Sequence, residues 1–184
     1  MNQKQYTHPN PRFYRFTQWL IFVALCVVIL TVPLQLLIAV MNPKAVLFYF
    51  SALITLALTA PLILYLTATP TVSIYETGLT VYPFVGKSHA IDWEDIHAVK
   101  EYPLLPRQNH EVNKRLLVGR KRYKQAEGIM LIVPRLPMVY RVGGLFVGEH
   151  GGKIIALTNR THTDYDHLVK QVMKHTGKPK HQVD

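Results

Sequence analysis

Between Arg15 and Lys44 lie 28 residues without a charged side chain, and between Lys44 and Glu76 lie 31 more. A bilayer core about 30 Å thick is crossed by roughly 20 apolar residues of helix, so each run is long enough to cross once. A Lys or Asp at mid-bilayer costs about 2.5–3.5 kcal/mol on the insertion scale, and neither run carries one. The connection Met41-Asn42-Pro43-Lys44 is too short to be anything but a turn. Together these features predict a two-helix transmembrane hairpin over 17–68, with spans at about 17–40 and 45–67. A cleavable signal peptide is the rival for the first run. That run is much longer than the usual apolar stretch of about 7–15 residues, and no small-x-small site follows it.

Lys4, Arg12 and Arg15 precede the first span, against Lys44 alone in the turn. The positive-inside rule then places both termini in the cytoplasm. Trp19 and Tyr65 are expected at the cytoplasmic interface and Phe48-Tyr49-Phe50 near the opposite one. Pro33 and Pro61 each remove a backbone donor and should bend their helices. Ser51, Thr55 and Thr59 recur every four residues, a small polar stripe that lets helices approach closely, either the first span or another membrane subunit. Gln35 has the same two readings. Cys26, the one cysteine, reads as a small packing residue. With no acidic or basic residue at depth, a proton path or ion carrier is not expected.

From Pro70 onward there are 17 basic and 11 acidic side chains, so +6 of the net +10 belongs to this part. Beside a membrane, such a balance points to anionic lipid or an acidic protein before nucleic acid, and nothing resembles a groove-reading motif. Short β signals follow one another. Residues 71–75 and 79–82 alternate around Thr77-Gly78 as a hairpin, and 87–93, 96–102 and 116–123 read as further strands. The runs 129–133 and 153–158 complete the series, the first continuously apolar as in a strand buried on both faces. Tyr165, Leu168, Val169, Val172 and Met173 then share one face of a helix that Gly177 ends. Thr163 with Asp166 suggests a capping box at its start. The organisation expected is an arm at 1–16, the hairpin, a domain at 70–176 and a polar tail at 177–184.

Ile91-Asp92-Trp93-Glu94-Asp95-Ile96, after a β-hairpin that directly follows two spans, resembles the bacterial pleckstrin-homology-like (PH-like) domains of small membrane proteins. The resemblance covers about 70–175. It implies an α+β chain: a transmembrane hairpin, then a PH-like split β-barrel of seven strands with a C-terminal capping helix over one open end. It also implies the bacterial inner (cell) membrane. Two departures stand out. Lipid-binding eukaryotic relatives use basic residues in the first strand-to-strand loop, whereas Glu76-Thr77-Gly78 has none, and 134–152 is a long Pro/Gly-rich excursion.

The densest charge is Arg107, Lys114, Arg115, Arg120, Lys121, Arg122 and Lys124, opposed only by Glu111. Such a cluster next to a membrane reads as an anionic-lipid or partner contact, or as a strand edge kept soluble by charge. The glycines between 143 and 152 do not form a phosphate loop: Gly152-Lys153 is followed by Ile154, where Ser or Thr belongs. They read instead as a mobile or partner-contacting loop. His162 and Asp164 read as helix-start residues, and Asp92, Glu94 and Asp95 as a turn between strands. No metal-ligand spacing, nucleophile elbow or cofactor motif occurs, so neither a metal, a cofactor nor an enzymatic activity is expected. The expected role is binding or scaffolding: membrane lipids or a cytosolic partner at the basic cluster, or, alternatively, service as an accessory subunit of a larger membrane complex.

Overall fold

The computed structural model describes residues 4–42, 46–106, 111, 116 and 123–177. In chain order these form strand β1 (Lys4–Tyr6), helices α1 (Pro11–Met41) and α2 (Val46–Thr67), and strands β2 (Thr71–Ile74), β3 (Gly78–Tyr82), β4 (His89–Asp92) and β5 (Ala98–Glu101). Strand β6 (Gly128–Ile132), the short helix α3 (Arg141–Phe146), strand β7 (Ile154–Thr158) and helix α4 (Tyr165–Thr176) follow. The class is α+β: a helical hairpin, two antiparallel sheets and a C-terminal helix. One sheet has the order β1-β2-β3-β4, the other β5-β6-β7, and among the described residues the two are not joined into a closed barrel.

Helices α1 and α2 pack along each other and are long and apolar enough to cross a membrane. Their apolar side chains are largely uncovered, with Leu30, Leu34, Leu47 and Leu53 all exposed. In water such a surface would be strongly unfavourable, so the geometry is compatible with two membrane spans. Both helices run through their prolines, Pro33 and Pro61. Helix α1 starts six residues before the expected span, because Asn10 accepts a bond from the Phe13 N–H at 3.3 Å and Pro11 stands at its first position.

The arm expected at 1–16 is not separate from the domain. Lys4, Gln5 and Tyr6 pair with Ile74, Ser73 and Val72, so the first strand of the four-stranded sheet lies on the far side of the hairpin in sequence. Strands β2 and β3 form the expected hairpin, in which Gly78 is required because a Cβ there would run into the Ile91 carbonyl. Asp92, Glu94 and Asp95 lie at or in a 3-10 turn, Trp93–Asp95, between β4 and β5, as expected. The predicted strand at 116–123 falls almost wholly outside the described residues.

The main core joins Tyr6, Val72, Leu79, Val81 and Ile91 of one sheet to Val99, Leu131, Ile155 and Leu157 of the other, closed by Leu168 and Val172 of α4. All five residues of β6 and all five of β7 are buried, so the second sheet needs cover on its outer face too. The segment expected as a loop at 134–152 helps to provide it. Val147, with Leu105, packs on Met130, Ile132, Ile154 and Ala156, and α3 lies against α2 and β7. Gly144 makes this possible, since a Cβ there would collide with the Gly152 carbonyl.

Helix α4 ends on Gly177 at φ 60°, as predicted. Its start departs from the capping box. Asp164 is the N-cap, at φ 52°, and makes no side-chain cap bond. Its carboxylate pairs with Lys4 instead, and the Thr163 N–H donates to the Thr7 carbonyl at 2.9 Å. The arm thus takes the Thr163 N–H that the capping box would have used, and the carboxylate of the residue that stands at the N-cap instead.

Candidate functional site

The two halves of the molecule meet at residues 68–70, and this junction is bonded from three directions. The Ala156 N–H of β7 donates to the Ala68 carbonyl at 2.7 Å, and the Tyr14 hydroxyl of α1 donates to the Thr69 carbonyl at 2.8 Å. The third bond corrects the reading of His162 as a helix-start residue. Its ring is buried, with Nε2 at 2.9 Å from the Pro70 carbonyl and Nδ1 accepting from the Thr158 N–H at 3.2 Å. A carbonyl can only accept, so Nε2 carries the hydrogen and the ring is neutral. Desolvation pushes its pKa down to about 4, against the opposing pull of the Pro70 carbonyl.

Below this junction, between the hairpin and the sheets, lies a cavity of about 420 Å³. Phe22 and Leu25 of α1 and Ile63 and Leu66 of α2 form one wall; the β3–β4 connection and residues 137–140 form the other. Phe84 reaches down to Phe22, with ring centroids 6.2 Å apart. The polar groups are few: Lys87, His89, Thr67 and Tyr140. Tyr140 is 1% exposed and its hydroxyl has no hydrogen-bond partner among the described residues. Burial pushes that phenol up to about 12, so it is a donor at any physiological pH. The His89 ring meets the Tyr140 ring edge-on at 6.2 Å and fixes its orientation. Of the lining residues, Val85 and Val139 are exposed, and Met138, Leu145 and Phe146 nearby in sequence are exposed as well.

Most of the predicted basic cluster, Arg107, Lys114, Arg115, Arg120, Lys121 and Arg122, lies outside the described residues. Lys124 is described: it is exposed and 3.9 Å from Asp166. Glu111, the acid that opposes the cluster in sequence, is buried, where Arg160 and the Tyr123 hydroxyl each donate to it at 2.6 Å. Arg160, from outside the cluster, is thus one of its ion-pair partners. Ser51, Thr55 and Thr59 are half-buried, and their hydroxyls donate to carbonyls of their own helix, those of Phe48, Ser51 and Leu56. They are satisfied without a second helix. Farther along the hairpin, Ala39 and Ala52 are fully covered.

Among the described residues no three His, Cys, Asp or Glu side chains come together as a metal site. The cavity was not foreseen from sequence. Its walls come from four separate segments, and the only signals were Phe84-Val85, an apolar pair in a turn, and Met138-Val139-Tyr140 in a segment otherwise rich in Pro and Gly. No family model, no curated protein and no solved structure matches this chain.

Proposed function

We propose that the chain is a bacterial cell-membrane protein whose hairpin spans the bilayer, with both termini in the cytoplasm. Its sheets and α4 form a PH-like split barrel that acts as a binding or scaffolding module rather than an enzyme. The four-plus-three strand count and the closing helix support this reading of the fold. In it, the hairpin is the connection between the first and second strands, the place where lipid-binding relatives carry their basic loop. Glu76-Thr77-Gly78 would then join the second and third strands, and its lack of bases says little about lipid.

The observation that carries the function is the junction. Strand β1 before the hairpin pairs with β2 after it, and residues 68–70 are held by Tyr14, Ala156 and His162. A module fastened this way presents one face to the lipid and keeps it there, which suits recognition at a membrane surface. Anionic lipid or an acidic partner would meet the basic segment 107–124. The alternative role, as an accessory subunit of a larger membrane complex, would use the outer faces of the hairpin.

Extraction of the full chain from membranes in mild detergent tests this. The expected result is a co-purifying anionic lipid or protein that high salt releases, with the chain itself resisting a carbonate wash. A chain that carbonate strips from the membrane, or that purifies bare at low salt, overturns the proposal.

A further inference from the structure

The cavity at the base of the hairpin has no role in the reading above. We infer that it holds one acyl chain of an anionic glycerophospholipid taken from the surrounding leaflet, with the lipid phosphate at Lys87. This rests on the hairpin spanning a bilayer. Phe22 and Leu25 stand three and six residues past Trp19. At about 1.5 Å per residue this puts them roughly 4.5 and 9 Å below the interface. Apolar groups seated at the headgroup–acyl boundary lie about 5–10 Å deep. An opening at that level faces lipid rather than water.

Size and chemistry agree with the depth. A volume of about 420 Å³ falls within the range of small-molecule sites, about 300–1,000 Å³, and the walls are almost entirely apolar. Water gains little there, because it needs two to four polar partners. Lys87 is exposed at the mouth, and no Asp or Glu lines the cavity among the described residues. An ammonium in that position selects an anionic head over a zwitterionic one. Together, the apolar walls ask for a hydrocarbon chain and the ammonium for a negative charge beyond it. A glycerophospholipid carries both in that order.

The test is native mass spectrometry of the full chain released from nanodiscs of phosphatidylglycerol, phosphatidylcholine or an equal mixture. The expected result is one retained phosphatidylglycerol per chain, preferred over phosphatidylcholine by about fivefold, the discrimination one Lys supplies near a surface. Lys87→Gln should abolish the preference and keep the lipid. Leu25→Trp, which fills the cavity from α1, should lower retention about tenfold or more, and Val139→Trp should do so from the domain side. Retention unchanged in both tryptophan variants, or a preference that survives Lys87→Gln, overturns the proposal. Both tryptophan variants should still resist a carbonate wash. If they do while lipid retention is unaffected, the cavity inference fails and the membrane reading stands; if the parent chain is itself extracted, both fail.

Discussion

The two sheets are built in opposite ways. The three-stranded sheet is made of strands consecutive in the chain, and two of them, Gly128–Ile132 and Ile154–Thr158, are largely apolar and buried at every position. The four-stranded sheet begins with Lys4, Gln5 and Tyr6, separated from their partners by the whole hairpin, and only Tyr6 of the three is buried. The first sheet is stabilised by apolar area on two faces. The second depends on a clasp, in which Tyr6 enters the core, its hydroxyl lies 2.6 Å from His167 Nδ1, and Lys4 pairs with Asp164. Burial makes a strand robust; a clasp ties its fate to distant residues. A fragment beginning at residue 70 would therefore leave the edge of β2 open, which invites pairing with other chains.

The sharpest way to break this contrast is Tyr6→Ala. If β1 is an integral strand, losing this buried ring costs about 3–5 kcal/mol, the range for large aromatic truncations in a core. Leu131→Ala at the heart of the other sheet costs about 2–5 kcal/mol by the same mechanism. Thermal unfolding of the full chain in detergent, followed by the fluorescence of Trp93, measures both. Trp93 is a suitable reporter because it is buried and stacked on His175 with ring centroids 4.8 Å apart. A Tyr6→Ala cost below about 1 kcal/mol would mean that the arm merely lies on the sheet, since surface changes stay within about 0.5 kcal/mol.

The same contrast decides what could be read from the sequence. The apolar runs of β6 and β7, the alternation in β2 and β3 and the spacing of α4 each carry their structure locally, so those elements were legible. Strand β1 was not, because three residues with one aromatic hold no periodicity and their partners lie beyond the hairpin. The turn at α3 was hidden by Gly143 and Gly144, which look like loop residues and are in fact the points where α3 approaches Ile154 and Gly152. His162 looked like a helix-start residue because its partner, the Pro70 carbonyl, is 92 positions away in sequence. The cavity shares this character. Apolar residues in four segments carry no signature until the chain brings them together.

A smaller effect, on the junction rather than the core, comes from pH. His162 is bound as the neutral ring, with its pKa lowered to about 4 from an ordinary 6.5. The unfolded chain binds a proton at this site between those values and the folded chain does not, so stability falls as pH drops through that window. At about 1.36 kcal/mol per pKa unit, the loss reaches about 3 kcal/mol by pH 4. His8, whose pKa desolvation also lowers, acts in the same direction. In His162→Gln the slope of the melting temperature against pH between 6.5 and 4 should flatten markedly. A slope equal to that of the parent chain would show that Pro70 is not held through His162.

The smallest expected effect separates the charged end of the clasp from its aromatic one. Lys4 and Asp164 form an ion pair with both side chains about half exposed, 51% and 50%. The bond to Lys4 holds the Asp164 carboxyl below its ordinary value, and the bond to Asp164 raises Lys4. Both are therefore charged in the folded state at neutral pH. The contribution of Asp164 is present above its unfolded pKa of 3.8 and is lost as pH falls through the lowered folded value. Exposed pairs of this kind are screened by water and salt. Lys4→Gln should thus shift the melting temperature far less than Tyr6→Ala, and the shift should vanish in molar salt. If Lys4→Gln matched Tyr6→Ala, the arm would be fastened by charge, and the four-stranded sheet would loosen with ionic strength while the three-stranded sheet did not. Salt titration of the parent chain, read by hydrogen exchange at Val72 and Ile74, distinguishes the two: protection that is flat with salt places the clasp on Tyr6.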